Sequence, residues 1–221
     1  GAAPRALTGY AGGLLACVLL AGVARAEAPL RADGPRLRDR DGAVVILRGM
    51  NVAIDAKVPP FRPVDDPALL DALPRWGVNV VRLLFTWEAY EPERERYDES
   101  YLDYIAGLIE ASRARGVWVI LDLHQDAFSR FSVAGCGEGF PRWALPPDVA
   151  PQQPDNGENC TTWNVQMIAD QNMHRAWQAF YANEQGVRDR YLALLERLAA
   201  RFGQQPGLIG FDMLNEPWGD E

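Results

Sequence analysis

The sequence predicts an α/β fold: a TIM-type (β/α)8 barrel, of which about the first four β/α units lie in this chain of 221 residues. Three observations carry that reading. Near-continuous apolar runs alternate with amphipathic helical patterns, as expected of a parallel sheet covered on both faces. The early βα turns carry no G-x-G-x-x-G, which disfavours a doubly wound dinucleotide-binding domain. Polar groups then follow the apolar runs. Trp87-Glu88, His124-Gln125-Asp126 and Asn215-Glu216-Pro217 each sit just past the C-terminal end of a strand, the face on which barrel enzymes place their chemistry.

In chain order, residues 1–26 read as a signal peptide. Arg5 supplies the positive start, Tyr10 to Val23 is an apolar stretch short for a bilayer, and Ala24-Arg25-Ala26 offers small residues for cleavage. A membrane anchor is the alternative. Leu14-Leu15-Ala16-Cys17 resembles a lipobox, but the apolar run continues past Cys17 to Val23 and weakens that reading. The chain is therefore expected to be secreted or periplasmic. Residues 27–47 form an N-terminal extension in which Leu37 and Val44 to Leu47 flank the turn dipeptide Asp41-Gly42, the pattern of a hairpin.

Residues 48–221 carry the barrel pattern. Strands are expected at Arg48 to Ala53, Asn79 to Phe85, Val117 to Leu123 and Leu208 to Leu214. A short helix spans Pro67 to Trp76. Asp98 caps a second whose apolar face is Tyr101, Tyr104, Ile105 and Leu108, and a third presents Tyr191, Leu194, Leu195, Leu198 and Phe202. Between them, Gln125 to Asn183 reads as one long loop segment rich in Gly, Pro, Asn and aromatic residues, and loops of that length are usually functional.

Composition excludes several function classes. The chain is 48% hydrophobic, enough for a packed core and against disorder. Twenty-two basic residues stand against 30 acidic ones, a net charge of -8, which disfavours nucleic acid as a partner. The two histidines, His124 and His174, and the cysteines show no metal-ligand spacing, so neither metal nor cofactor is expected. Once Cys17 is removed with the signal, Cys136 and Cys160 remain as an even pair suited to a disulfide in an oxidising compartment; two free thiols are the alternative.

The strongest chemical signal is Asn215-Glu216-Pro217-Trp218. A strand-end carboxylate beside an amide that can bind a substrate hydroxyl suits acid-catalysed glycosidic cleavage. Pro217 is expected to hold Glu216 extended and so to aim its side chain. A helix-initiating Glu-Pro turn with a solvated carboxylate is the plainer alternative. Phe140, Trp143 and Trp163 in the long segment offer sugar platforms or lipid contacts, or else local core.

These motifs resemble glycoside hydrolase family 5 of clan A. Leu214-Asn215-Glu216-Pro217 matches its signature, and Arg48-Gly49-Met50-Asn51, Val81-Arg82-Leu83 and Asp122-Leu123-His124-Gln125 match its first three strands in order. Asn51 to Pro60, Leu123 to Ser129 and Phe211 to Trp218 look like the endoglycoceramidase-type members. The resemblance implies a secreted retaining β-glycosidase that separates an oligosaccharide from its aglycone, the ceramide of a glycosphingolipid in the subgroup. A carbohydrate or glycolipid is then the substrate, with transient contact at a lipid surface.

Residue roles follow from the same resemblance. Glu216 is implied as acid/base and Asn215 as a contact to the sugar 2-hydroxyl. His124 and Asp126 would bind hydroxyls at the cleavage point, and Lys57 matches a sugar-binding lysine. Arg82 would lie beneath the nucleophile; a structural pairing with Asp122 or Asp212 is its alternative. The family's nucleophile follows the seventh strand, so it is expected outside these residues, and the segment alone is expected to be inactive. A β-glucanase or β-glucosidase on the same scaffold is the nearest rival, and a non-catalytic carbohydrate-binding barrel is the rival of another class.

Overall fold

A computed structural model describes residues 30–155 and 160–219, so the predicted signal segment lies outside the described residues. The extension forms a small antiparallel sheet of β1 (Arg31–Asp33), β2 (Arg36–Arg38) and β3 (Val44–Val45). Leu37 faces Val45 across the expected hairpin. Its turn is held by the Asp39 carboxylate, which accepts from the backbone N–H of Asp41 at 3.0 Å and of Ala43 at 2.8 Å.

The main sheet is parallel, with β4 (Gly49–Val52), β5 (Val80–Phe85), β6 (Trp118–Leu123) and β7 (Leu208–Asp212) side by side in chain order. Leu83 of β5 pairs with Leu121 of β6, which pairs with Phe211 of β7. Val81, Leu83, Leu84 and Phe85 are all buried, so both faces of β5 are covered. The order β4-β5-β6-β7 is that of a partial (β/α)8 barrel.

The turn after β5 runs into α1 (Trp87–Tyr90) and then α2 (Glu99–Ala114). The Asp98 carboxylate caps α2 by accepting from Ser100 N at 3.0 Å and Tyr101 N at 3.2 Å. Tyr101, Leu102, Ile105, Leu108 and Ile109 bury one stripe of α2 against the sheet. The helix expected over Pro67 to Trp76 is instead two 3-10 segments, Pro67–Ala72 and Pro74–Trp76. Pro74 lacks the N–H that an unbroken helix needs there.

The long segment is corrected more substantially. Its second half is helical, with α3 (Trp163–Ala169) and α4 (Gln171–Tyr181) leading to α5 (Val187–Phe202). Met173, Ala176, Trp177 and Phe180 recur at helical spacing and are buried, which is the signal that the loop reading overlooked. Its first half packs as an aromatic cluster. Phe128 stacks on Phe140 at 4.2 Å between centroids, and Phe140 on Tyr191 at 5.4 Å. Phe140 is therefore core rather than a sugar platform. Trp143 packs edge-on against Trp87 and donates Nε1–H to the Glu91 carbonyl at 2.9 Å.

Cys136 and Cys160 are bridged, with Cα atoms 5.5 Å apart, and close a loop of sequence separation 24. Closing such a loop restrains the unfolded chain, so the Cys136→Ser/Cys160→Ser double variant is expected to lose about 2–4 kcal/mol in urea unfolding. A loss below about 0.5 kcal/mol would show that the bridge adds nothing beyond packing.

Candidate active site

The site is built at the C-terminal ends of β5, β6 and β7, from side chains that a period-two strand pattern turns inward. Arg82, in the middle of β5, is the one cation in an otherwise apolar strand. Its guanidinium reaches Asp212 Oδ2 through Nε at 3.1 Å and Nη2 at 2.7 Å, Asp122 Oδ1 at 2.9 Å and Asn215 Oδ1 at 2.8 Å. Pairing with Asp122 and Asp212, the structural alternative, is thus realised. The same guanidinium also fixes Asn215: because it only donates, it settles which end of that amide is oxygen.

Asp122 is fully buried at the end of β6 and holds His124 through Nδ1 at 2.8 Å. Burial favours a neutral imidazole, but the hydrogen bond to Asp122 and the nearby Asp126 carboxylate outweigh it and raise His124 to about 9. These carboxylates favour the protonated ring, whose Nε2 lies 3.5 Å from both Asp126 Oδ2 and Glu138 Oε1.

Lys57 follows β4 and reaches into this cluster, with Nζ 2.5 Å from Asp126 Oδ2 and in contact with Glu138 Oε1. It is not the solvated surface lysine that its position in a loop allows. Burial lowers the Lys57 ammonium, but the Glu138 and Asp126 carboxyls more than compensate and raise it. Burial works against the Asp126 carboxylate, but the nearby His124 ring, the Glu138 carboxyl and the Lys57 ammonium outweigh it and hold it well below the usual carboxylate range. His124, Asp126 and Glu138 place donor atoms within 4.8 Å of one another, a spacing that could hold a metal ion. The Lys57 ammonium already sits between the two carboxyls and supplies the cation there, so the donor set does not fit a metal well.

Glu216 differs from these residues. Its side chain is exposed, and its carboxylate makes no hydrogen bond or ion pair among the described residues. The extended conformation expected before Pro217 is not found: φ at Glu216 is +37°, in the left-handed region. Gln125 accounts for it. This buried amide donates through Nε2 to the carbonyls of both Asn215, at 2.7 Å, and Glu216, at 2.9 Å, and so turns the chain. Asn215 N donates to the Leu123 carbonyl at 3.1 Å, and β7 ends at Asp212, short of the predicted Leu214. A residue held in a sparsely populated backbone region needs such over-determination.

The structure therefore gathers Lys57, Arg82, His124, Asp126 and Asn215 into one network, with Glu216 presented beside it. Gln125 and Glu138 are the participants that the sequence reading did not assign. Gln125 lay within the recognised strand-end motif. Glu138 had only a weak signal, a carboxylate between Gly137 and Gly139 next to a cysteine. The other strand-end acids are engaged elsewhere. Glu88 takes Arg130 Nε on both carboxylate oxygens at 2.8 Å, and Glu91 accepts from Trp87 Nε1 at 2.8 Å. Trp163 borders a cavity of about 330 Å³ with Lys57, Arg130 and Glu138.

Comparison with known proteins places the chain in a family. Residues 38–221 match the family model described as Cellulase (glycosyl hydrolase family 5). Endoglycoceramidase I of Rhodococcus hoagii (strain 103S) is 36% identical over 190 residues, covering 86% of this chain and 37% of that protein. A glucosylceramidase of Aspergillus fumigatus is 34% identical over 141 residues, covering 52% of this chain and 18% of its own length. Among solved structures, endo-glycoceramidase II from Rhodococcus sp. superposes with a TM-score of 0.70 at 33% identity, covering 83% of this chain and 42% of that one. The same enzyme has been solved as a ganglioside GM3 complex. This chain thus spans less than half the length of these relatives. With its partial barrel and the matched residues 38–221, the chain belongs to glycoside hydrolase family 5.

Proposed function

We propose that the protein carrying this chain hydrolyses the β-glycosidic bond of a glycolipid with retention of configuration, releasing the oligosaccharide from a ceramide aglycone. The observation that carries the reading is Glu216: an exposed carboxylate at a barrel strand end, clamped in position by Gln125 and adjacent to an Asn215 immobilised by Arg82. An acid/base must reach solvent and substrate while its backbone stays fixed, and this arrangement supplies both.

In the proposed reaction Glu216 donates its proton to the glycosidic oxygen as the bond to the anomeric carbon breaks. A second carboxylate, on a later barrel strand and about 5–5.5 Å away, attacks that carbon. Glu216 then takes a proton from water, which releases the sugar. Asn215 contacts the 2-hydroxyl, while Lys57, His124 and Asp126 bind hydroxyls of the sugar at the cleavage point. Arg82 lies beneath the nucleophile, its charge favouring the ionised form. The glycolipid reading is supported by the endoglycoceramidase and glucosylceramidase relatives. Secretion is supported by the apolar stretch Tyr10 to Val23, by Ala24-Arg25-Ala26, and by the Cys136–Cys160 pair.

The test is product analysis with the full-length protein on ganglioside GM3, glucosylceramide and a soluble β-glucan. An intact oligosaccharide and free ceramide from GM3 is the expected result. Release of glucose from glucosylceramide alone would favour a glucosylceramidase, and cleavage of the β-glucan alone would exclude both. The 221-residue segment by itself is expected to leave an aryl β-glycoside intact, because among the described residues β4 and β7 are unpaired edges of the sheet and no residue matches the nucleophile. Measurable turnover by the purified segment would refute that expectation.

A further inference from the structure

Glu138 is a buried acid in the site cluster for which the proposed reaction has no role. It is 5% exposed, yet it lies against three polar side chains that the sugar-binding reading does use: Lys57, Asp126 and His124. Its placement is unusually well determined. Residues 126 and 138 form an isolated antiparallel bridge, with Glu138 N donating to the Asp126 carbonyl at 2.8 Å and Asp126 N to the Glu138 carbonyl at 3.3 Å. That pairing sets the two side chains next to each other.

The flanking residues leave the bridge no freedom. At Gly137 a Cβ would collide with the Ser129 carbonyl, and at Gly139, where φ is +108°, it would lie 2.5 Å from Gln125 Cβ. One residue earlier, the Cys136–Cys160 disulfide ties the strand to the segment before α3. A glycine pair, a backbone bridge and a disulfide thus converge on one buried carboxyl, far more than an acid needs to fill space.

We propose that Glu138 is a positioning residue of the sugar site: in its protonated form it donates a hydrogen bond to the Asp126 carboxylate, accepts one from Lys57, and so holds that pair in the geometry that takes a sugar hydroxyl. The inference rests on the reading of Lys57 and Asp126 as sugar-binding. Its chemical basis is the spacing of charges. Two ionised carboxylates this close repel, whereas a carboxylic acid and a carboxylate share a proton and attract. Burial, followed by the opposing charge of Lys57 and the reinforcing charge of Asp126, pushes Glu138 up to about 8, so the acid form prevails at neutral pH. The charged groups facing it are Lys57 from the β4 loop and His124 and Asp126 from the β6 loop; Asp55 and Arg130 border the adjoining cavity.

A pH dependence follows, with its sign set by the acid form. Below about pH 8 Glu138 is neutral and the pair is held; above it, the new charge repels Asp126 and the Lys57–Asp126 geometry loosens. Apparent KM for a glycolipid should therefore rise on the alkaline side. The experiment compares the full-length parent with Glu138→Gln and Glu138→Ala across pH 5–9.5, with KM and kcat measured separately. Glu138→Ala is expected to raise KM by about ten- to a hundredfold with a smaller change in kcat, since it removes a hydrogen bond to a charged group. Glu138→Gln, which mimics the neutral acid and cannot titrate, is expected to recover most of that loss and to abolish the alkaline rise near pH 8.

A second readout does not require turnover. Infrared difference spectra of the parent at pH 7 should contain the carbonyl stretch of a buried carboxylic acid, and Glu138→Gln should lack it. Absence of that band in the parent overturns the proposal, whatever the activity. So does a KM and alkaline limb unchanged in both variants, which would make Glu138 a packing residue. A parent with the band but no glycosidase activity on any substrate would instead overturn the sugar-site reading, and with it the positioning role of Glu138.

Discussion

Glu216→Gln in the full-length protein is expected to lower kcat on a glycolipid by about 10²–10⁴, the usual contribution of general acid–base catalysis. The loss should be unequal across substrates. Ceramide leaves as a poorly stabilised alkoxide unless its oxygen is protonated, so the bond-breaking step needs the Glu216 proton. A dinitrophenyl glycoside leaves without one, and its first step should be nearly unaffected; only the later water attack would slow. Small anions such as azide should then rescue turnover, because they attack the glycosyl intermediate without a base. Equal losses on both substrates, with no rescue, would show that Glu216 does not move the proton. The prediction is sharpened by the local structure. Gln125 contacts the backbone carbonyl of Glu216 rather than its carboxylate, so the amide variant keeps the backbone clamp.

Arg82→Leu should have the largest effect on stability, a loss of about 3–5 kcal/mol in denaturant unfolding, typical of removing one partner from a buried ion pair. Asp122 has no solvent exposure and would be left with only His124 as a charged partner. Asp212 is more open to water, so its share of the loss is smaller. Arg82→Lys should recover part of the loss but not the geometry, since an ammonium lacks the planar fork whose Nε and Nη2 both reach Asp212. Asn215 would then lose the donor that fixes its amide, and activity should fall further than stability does. A loss below about 1 kcal/mol for Arg82→Leu would mean that the pair is screened by water, as in an exposed ion pair.

Much of this was legible along the chain. β5, β6 and α5 fall where their apolar periodicity puts them, because local burial decides those elements. Asp98 was readable as a cap, since capping depends on the residues immediately after it. The departures arose where distant residues compete with local preference. Pro217 favours an extended Glu216, yet two hydrogen bonds from Gln125, about 90 residues away in sequence, impose a positive φ. In the segment between β6 and α5, abundant Gly and Pro near its start hid a helical stripe later on, at Met173 to Phe180.

The alternation of strands and helices, the strand-end motifs and so the family rest on periodicity and on residues adjacent in the chain. Glu216, the Arg82 cation and the cysteine pair were all visible at that level. Which groups meet depends on the folded chain. It placed Glu138 against Lys57 and Asp126, 12 residues from the nearer and 81 from the farther by number, through a backbone bridge that no local pattern encodes. It also set the protonation of that cluster. Burial and neighbouring charge, which shift a carboxyl by amounts no side chain carries intrinsically, exist only once the chain has folded around it.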